Sequence, residues 1–308
     1  MLLTNKKTIN QLISAVMLFG IQYSTQASTV EKQENFSGVE TVKIKTIAGD
    51  LRLGRSTSGE VEVHVLSTYD ENKMSMKMEQ EGNLLNLSEI SHSNSSSNGN
   101  SIWTVGIPDG LDIKVKFSTA SGDIVASDLT GNLKVNTASG DIELRNFTGT
   151  AKGNTASGDI KLENTNGPMD LNTASGDVTA NIVEGKLILN TASGNINITT
   201  VTLNEKSSFN SASGDVEVSV IQTPMHNLKL SSASGNVILN MQGNELQGHI
   251  RMTTKIGFLN KISAPFDFDK EEEYERNGDQ YITKSVILGD PQMKITLSTS
   301  SGDAIIND

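Results

Sequence analysis

Cysteine is absent from this chain of 308 residues, so neither disulfides nor thiolate chemistry can hold the fold or drive a reaction. Aromatic residues make up 4% and include one tryptophan, which leaves few platforms for stacking sugar rings or nucleobases. The four histidines, His64, His92, His226 and His249, are scattered without the spacing of a metal site or a catalytic triad. Basic residues are outnumbered 25 to 36, for a net charge of −11. Such a balance repels nucleic acid and anionic lipid, so neither is an expected partner.

Long apolar runs are also missing, with one exception at the start. Lys6 and Lys7 precede a mostly apolar stretch from Ile9 to Ile21, and Thr25-Gln26-Ala27 follows with small residues at the positions that precede a cut after Ala27. This is the pattern of a secretory signal peptide over residues 1–27, too short and wrongly flanked for a spanning helix. No cysteine follows the run, so lipoprotein anchoring is not expected. Without residues 1–27, 23 basic residues face 36 acidic ones and the charge becomes −13. No other run approaches the ~20 residues of a membrane helix, so no transmembrane segment is expected.

What the chain does have is a period. Thr-Ala-Ser-Gly-Asp or a close variant recurs every 18 residues, with glycines at Gly122, Gly140, Gly158, Gly176 and Gly194. Looser copies follow at Gly214 and Gly235, and a detached one at Gly302. Fixed internal periods of this kind mark solenoids, in which a repeat buries its apolar face only by stacking on its neighbours. Eighteen residues also make five turns of α-helix. The block of Gly, Ser, Thr and Asn in each copy, and a second glycine nine residues on (Gly131, Gly149, Gly167, Gly185), reject that reading, because glycine costs ~1 kcal/mol per residue in a helix interior. Period-two alternation fits instead: Ile142 and Leu144 alternate with Asp141 and Glu143. The glycines fall between such runs, where a bend needs a positive φ or a close backbone approach.

These features predict an all-β fold, a parallel β-helix (β-solenoid) of about 18–21 residues per coil, capped at both ends by irregular strands and hairpins. In-register stacking makes Ile124, Ile142, Ile160, Val178, Ile196, Val216 and Val237 one buried column, and the alanines from Ala120 to Ala233 a second file at a corner. Residues 28–308 are expected to form a single domain. Its parts are opening strands and a cap over 36–118, regular coils over 119–250, an insertion over 255–290 with a hairpin turn at Asn277-Gly278, and a last coil over 291–308. Ala48-Gly49-Asp50 and Ser58-Gly59-Glu60 read as degenerate coil corners, and Ser93 to Ser101 as a flexible loop.

The Thr-Ala-Ser-Gly-Asp-Ile repeats, the strand Trp103-x-Val105-x-Ile107-Pro108 and the closing Ser300-Ser301-Gly302-Asp303 resemble the bacterial putative-adhesin family, exported domains of unknown function. The resemblance covers residues 36–306. It implies a right-handed β-helix and an adhesive role at the envelope, and it supplies no catalytic set.

Three candidate chemistries remain. The file Asp123, Asp141, Asp159, Asp177 and Asp215, interrupted by Asn195 and Asn236, places carboxylates ~4.8 Å apart, either to hold Ca²⁺ or to cap each bend by accepting backbone N–H bonds. The second reading explains the exchange with Asn. The file Thr119, Thr137, Thr155, Thr173 and Thr191 is either a hydroxyl array of the ice-binding kind or a hydrogen-bonded corner ladder. Glu143, Lys161 and Glu163 lie on neighbouring coils and form either a solvated mixed-charge face or the acid cluster of a polysaccharide-cleaving β-helix. No catalytic, cofactor or metal residue is assigned. The expected function is a non-enzymatic structural or adhesin-like module, periplasmic or on the cell surface, whose partner is an envelope protein or a glycan. A carbohydrate-active β-helix and a calcium-stabilised adhesive rod are the alternatives.

Overall fold

The computed structural model describes residues 30–92, 98–257 and 260–308. The expected signal peptide lies outside the described residues, as do residues 93–97 of the expected loop. Every regular element among the described residues is a strand.

Each regular coil contributes a first strand just after the Gly-Asp pair and a second just before the next threonine. First strands stack in parallel: Ile124 pairs with Ile142, Ile142 with Ile160, Ile160 with Val178, Val178 with Ile196, Ile196 with Val216 and Val216 with Val237. Second strands stack likewise, from Val135–Gly153–Leu171–Leu189 on to Phe209 and Leu230. The apolar column expected from the period is therefore continuous, and all seven members are buried. An apolar column in register leaves each coil no face to bury except against its neighbours, which is why a period of 18 alone specifies the stack.

Three bends close each coil. At the Thr-Ala-Ser-Gly-Asp corner the glycine is required by close approach: a Cβ on Gly158 would overlap the carbonyl of Gly140 one coil below. At the second-glycine corner close approach is joined by conformation: a Cβ on Gly167 would overlap the Gly149 carbonyl, and its φ is +121°. The third bend carries no glycine. Asp128, Asn146, Asn164, Ile182 and Thr200, again 18 apart, all hold positive φ between 47° and 59°. Asp and Asn tolerate that region. The β-branched Ile182 and Thr200 occupy it at a cost, held there by the coils on either side.

Core volume is balanced across each coil. Phe147 is fully buried in the coil whose second strand carries the small Ala151 and Gly153, and a Cβ on Gly153 would press on Val135, Leu171 and Ile142. Elsewhere a medium-sized side chain stands where Phe147 stands, and Leu or Val where Gly153 stands: Leu129 with Val135, Val183 with Leu189.

The ends depart from sequence order. The strands Thr41–Lys45 and Gly49–Arg55 form a coil wedged between the regular stack and a coil made later in the chain from Leu84–Ser91 and Ser101–Ile107. At the far end, Lys294–Ser298 and Ala304–Asn307 are wedged between the stack and the earlier Gly248–Lys255 and Ile262–Ser263. The coil last in sequence is thus not last in space. Antiparallel strands then close both ends. Val30–Phe36 lies on Val61–Ser67, itself on Ser101–Ile107, and Met74–Glu81 lies on Leu84–Ser91. The hairpin Lys270–Arg276 with Asp279–Leu288 covers Gly248–Lys255, turning at Asn277-Gly278 as expected. Ala48-Gly49-Asp50 is a coil corner, since Gly49 carries the glycine file under Gly122. Ser58-Gly59-Glu60 is not: nothing approaches Gly59, and it turns the chain into the antiparallel strand Val61–Ser67.

Candidate functional site

The aspartate file is a ladder between coils. Asp50 Oδ1 accepts the backbone N–H of Asp123 at 3.0 Å, Asp123 that of Asp141 at 2.9 Å, Asp141 that of Asp159 at 2.7 Å and Asp159 that of Asp177 at 2.8 Å. The series continues through Asn195, Asp215 and Asn236 to Asp303, whose Oδ1 accepts the N–H of Lys261. Each side chain serves the bend of the next coil rather than its own. The bond needs only an sp² side-chain oxygen, which Asn supplies equally, so the exchange seen in the sequence follows. Among the described residues no group of three or more His, Cys, Asp or Glu is placed to hold a metal ion.

The threonine file turns inward. Thr155 Oγ1 donates to the Gly140 carbonyl at 2.9 Å and accepts the Gly158 N–H at 3.0 Å. Thr173 and Thr191 repeat both bonds, and Ser211, Ser232 and Thr299 continue the donation to the coil below. Thr137, Thr155, Thr173 and Thr191 are buried. The hydroxyls are spent on backbone groups that would otherwise be orphaned at a buried corner, so they form no array facing water. What faces water at that corner is the Ala-Ser pair beside them.

Glu143, Lys161 and Glu163 do converge. Glu143 and Lys161 are register partners with a 3.4 Å ion pair; Arg145 binds Glu143 at 2.6 Å and reaches Glu163 at 3.9 Å. Every acid there has a cation within 4 Å, so these residues form a mutually paired mixed-charge face. The histidines stay apart: His64 contacts Glu31 at 2.8 Å, His92 contacts Ser75 at 3.0 Å, and His226 borders an open depression with Lys206 and Asp290.

One ladder went unread in the sequence. Asn154 Nδ2 donates to Asn136 Oδ1 at 3.0 Å, Asn172 to Asn154 at 3.1 Å, Asn190 to Asn172 at 2.7 Å and Asn210 to Asn190 at 2.6 Å. The signal was present, because asparagine precedes Thr137, Thr155, Thr173 and Thr191.

A family model described as Toastrack DUF4097 matches residues 39–256. The chain belongs to this family. The match spans the wedged N-terminal coil, the regular stack and the strand Gly248–Lys255 of this Toastrack domain. Among solved structures it is similar to a "putative adhesin" from Bacteroides fragilis, at 14% identity and a TM-score of 0.46, with 94% of this chain and 100% of that one covered. It is also similar to a "putative lipid binding protein" from Parabacteroides distasonis, at 13% identity and 0.43, covering 90% and 96%. A "putative cell adhesion protein" from Clostridium sporogenes aligns at 12% identity and 0.24, covering 91% and 98%. No curated protein matches this Toastrack chain.

Proposed function

We propose that this Toastrack protein is a non-enzymatic structural or adhesin-like interaction module of the bacterial envelope. It is exported by its residues 1–27 and works as a single β-solenoid domain over residues 28–308. The observation that carries this reading is the assignment of the repeated polar files. Asp, Thr and Asn at the corners are engaged coil to coil, and the mixed charges around Glu143 are paired with one another. The repeats therefore build a stiff rod, and its outward side chains are left for contact.

The test has two arms. Cell fractionation should find the chain in the periplasm, on the surface or in the medium, beginning at Ser28. Purified protein should adsorb to envelope fractions above an unrelated β-protein of equal charge; equal adsorption overturns the reading. Turnover of an acidic polysaccharide that is lost in Glu143→Gln would overturn its non-enzymatic part.

A further inference from the structure

Four lysines stand one above another on a flat side of the rod. Lys43 pairs in register with Lys116, Lys116 with Lys134, and Lys134 with Lys152. Lys45 and Lys114 flank this file on the same strands. Across five adjacent strands, Leu84–Ser88, Thr41–Lys45, Lys114–Ser118, Asn132–Asn136 and Thr150–Asn154, the outward positions hold six lysines and neither Asp nor Glu. Like charges directly opposite on neighbouring strands destabilise a sheet. Acids outnumber bases in this chain, and on the first strands Glu143, Arg145, Lys161 and Glu163 are paired in register. None of the six lysines has an ion partner among the described residues. The neighbouring coil places Asp170 beside Lys152 and ends the file.

The shape of this array selects its ligand. The file spans roughly 14 Å at the spacing of adjacent strands, so it suits charges carried in a line. Beside it run Asn136 and Asn154, whose amides keep hydrogen-bonding capacity toward solvent after making their ladder bonds. The outward positions of the five strands hold no aromatic residue, so single-stranded nucleic acid finds no stacking platform. Nor is there an aromatic or arginine anchor of the kind that dominates protein–protein interfaces.

We propose that the file Lys43–Lys116–Lys134–Lys152 binds a linear acidic polysaccharide, with lysines on its carboxylate or sulfate groups and the asparagine ladder on its hydroxyls. This rests on the reading of the protein as an envelope interaction module.

The experiment measures binding of the full chain to immobilised polygalacturonate (carboxylate), dextran sulfate (sulfate) and neutral dextran at two salt concentrations. Binding to one or both acidic polymers, weaker at high salt, and none to neutral dextran, is the expected result. Lys116→Glu with Lys134→Glu should lower the affinity about tenfold or more and flatten the salt dependence, with melting no lower than wild type. Lys116→Ala with Lys134→Ala should act in the same direction, and Lys229→Glu, further along the same side, should not. Unchanged affinity in both double variants overturns the proposal, as does equal binding of neutral dextran. Binding confined to single-stranded DNA, to phosphatidylglycerol vesicles or to a second copy of the chain also overturns it. If wild-type protein adsorbs to envelope fractions but ignores both acidic polymers, the ligand assignment fails and the module reading stands. If it does neither, both fail.

Discussion

Asp50 is the first rung of the aspartate ladder, where the wedged N-terminal coil meets the regular stack. Burial pushes its carboxyl above the usual carboxylate range, and the charges of Asp123 and Glu89 add to the shift; the bond from the Asp123 N–H and nearby Arg52 oppose it. A carboxyl whose folded value exceeds its ordinary 3.8 is harder to ionise in the fold than in the unfolded chain. The resulting loss of stability is absent below pH 3.8, grows as pH rises toward the folded value and is complete above it. Asp50→Asn keeps the accepting oxygen and removes the charge, as Asn195 and Asn236 already do. The variant should melt higher than wild type at pH 7, and the gain should vanish on acidification below the ordinary carboxylate value, as thermal melts across pH would show. Ile182 offers a second case. It is 52% exposed with φ of 53°, where Asn146 and Asn164 in the preceding coils extend a side-chain ladder from Asp128. Ile182→Asn relieves β-branched strain and should raise stability by about 1 kcal/mol in denaturant titration. That bend was hidden from the sequence because it holds Asp, Asn, Ile and Thr in turn and no glycine marks it.

At the scale of the element, strands are specified by which inward positions they fill. Phe147 is wholly buried, one strand-pairing step from Leu129 in the coil below. Phe147→Ala should therefore cost about 3–5 kcal/mol in unfolding free energy, since neighbours held in register on both sides cannot collapse into the void. The end strands obey a different logic. Lys294–Ser298 and Ala304–Asn307 each pair on both edges, with Leu228–Ser231 and Val237–Asn240 on one side and with Gly248–Lys255 and Ile262–Ser263 on the other. A chain ending at residue 293 loses the coil that joins the outer strands to the stack. It should expose apolar surface, read as dye binding and a broadened melt, whereas deletion of the single-edged Val30–Phe36 should be milder. The regular coils were legible because like residues recur at a fixed spacing. The order of the end coils was not, because pairing of Gly49–Arg55 with Ile124 and beyond is a long-range choice that leaves no local pattern. The same holds for the lysine file, whose members Lys43 and Lys116 are far apart in sequence and meet only through that wedged coil.

For the whole molecule, stability is a sum over coils and the interfaces between them. The exact 18-residue coils from 119 to 195 present the same Asp, Thr and Asn corner ladders to their neighbours, so one complete coil is dispensable and part of one is not. Removing residues 160–177 joins Asp159 to Val178 and leaves a Thr-Ala-Ser-Gly-Asp corner intact at the junction. Asp159 Oδ1 then meets the N–H of Asn195 and Thr191 meets Gly158, each replacing a partner of the same kind, while Leu144 stacks on the smaller Ala180 in place of Leu162. The shortened chain should fold with unchanged circular dichroism per residue and with stability lower by a single increment. Removing nine residues, 160–168, instead places the second strand of one coil where the first strand of the next belongs. It sets Met169 in the place of Ile160 and breaks the aspartate and threonine ladders together. That chain should fail to give a cooperative melt. If both deletions behave alike, the fold is held by its caps and not by repetition of the coil.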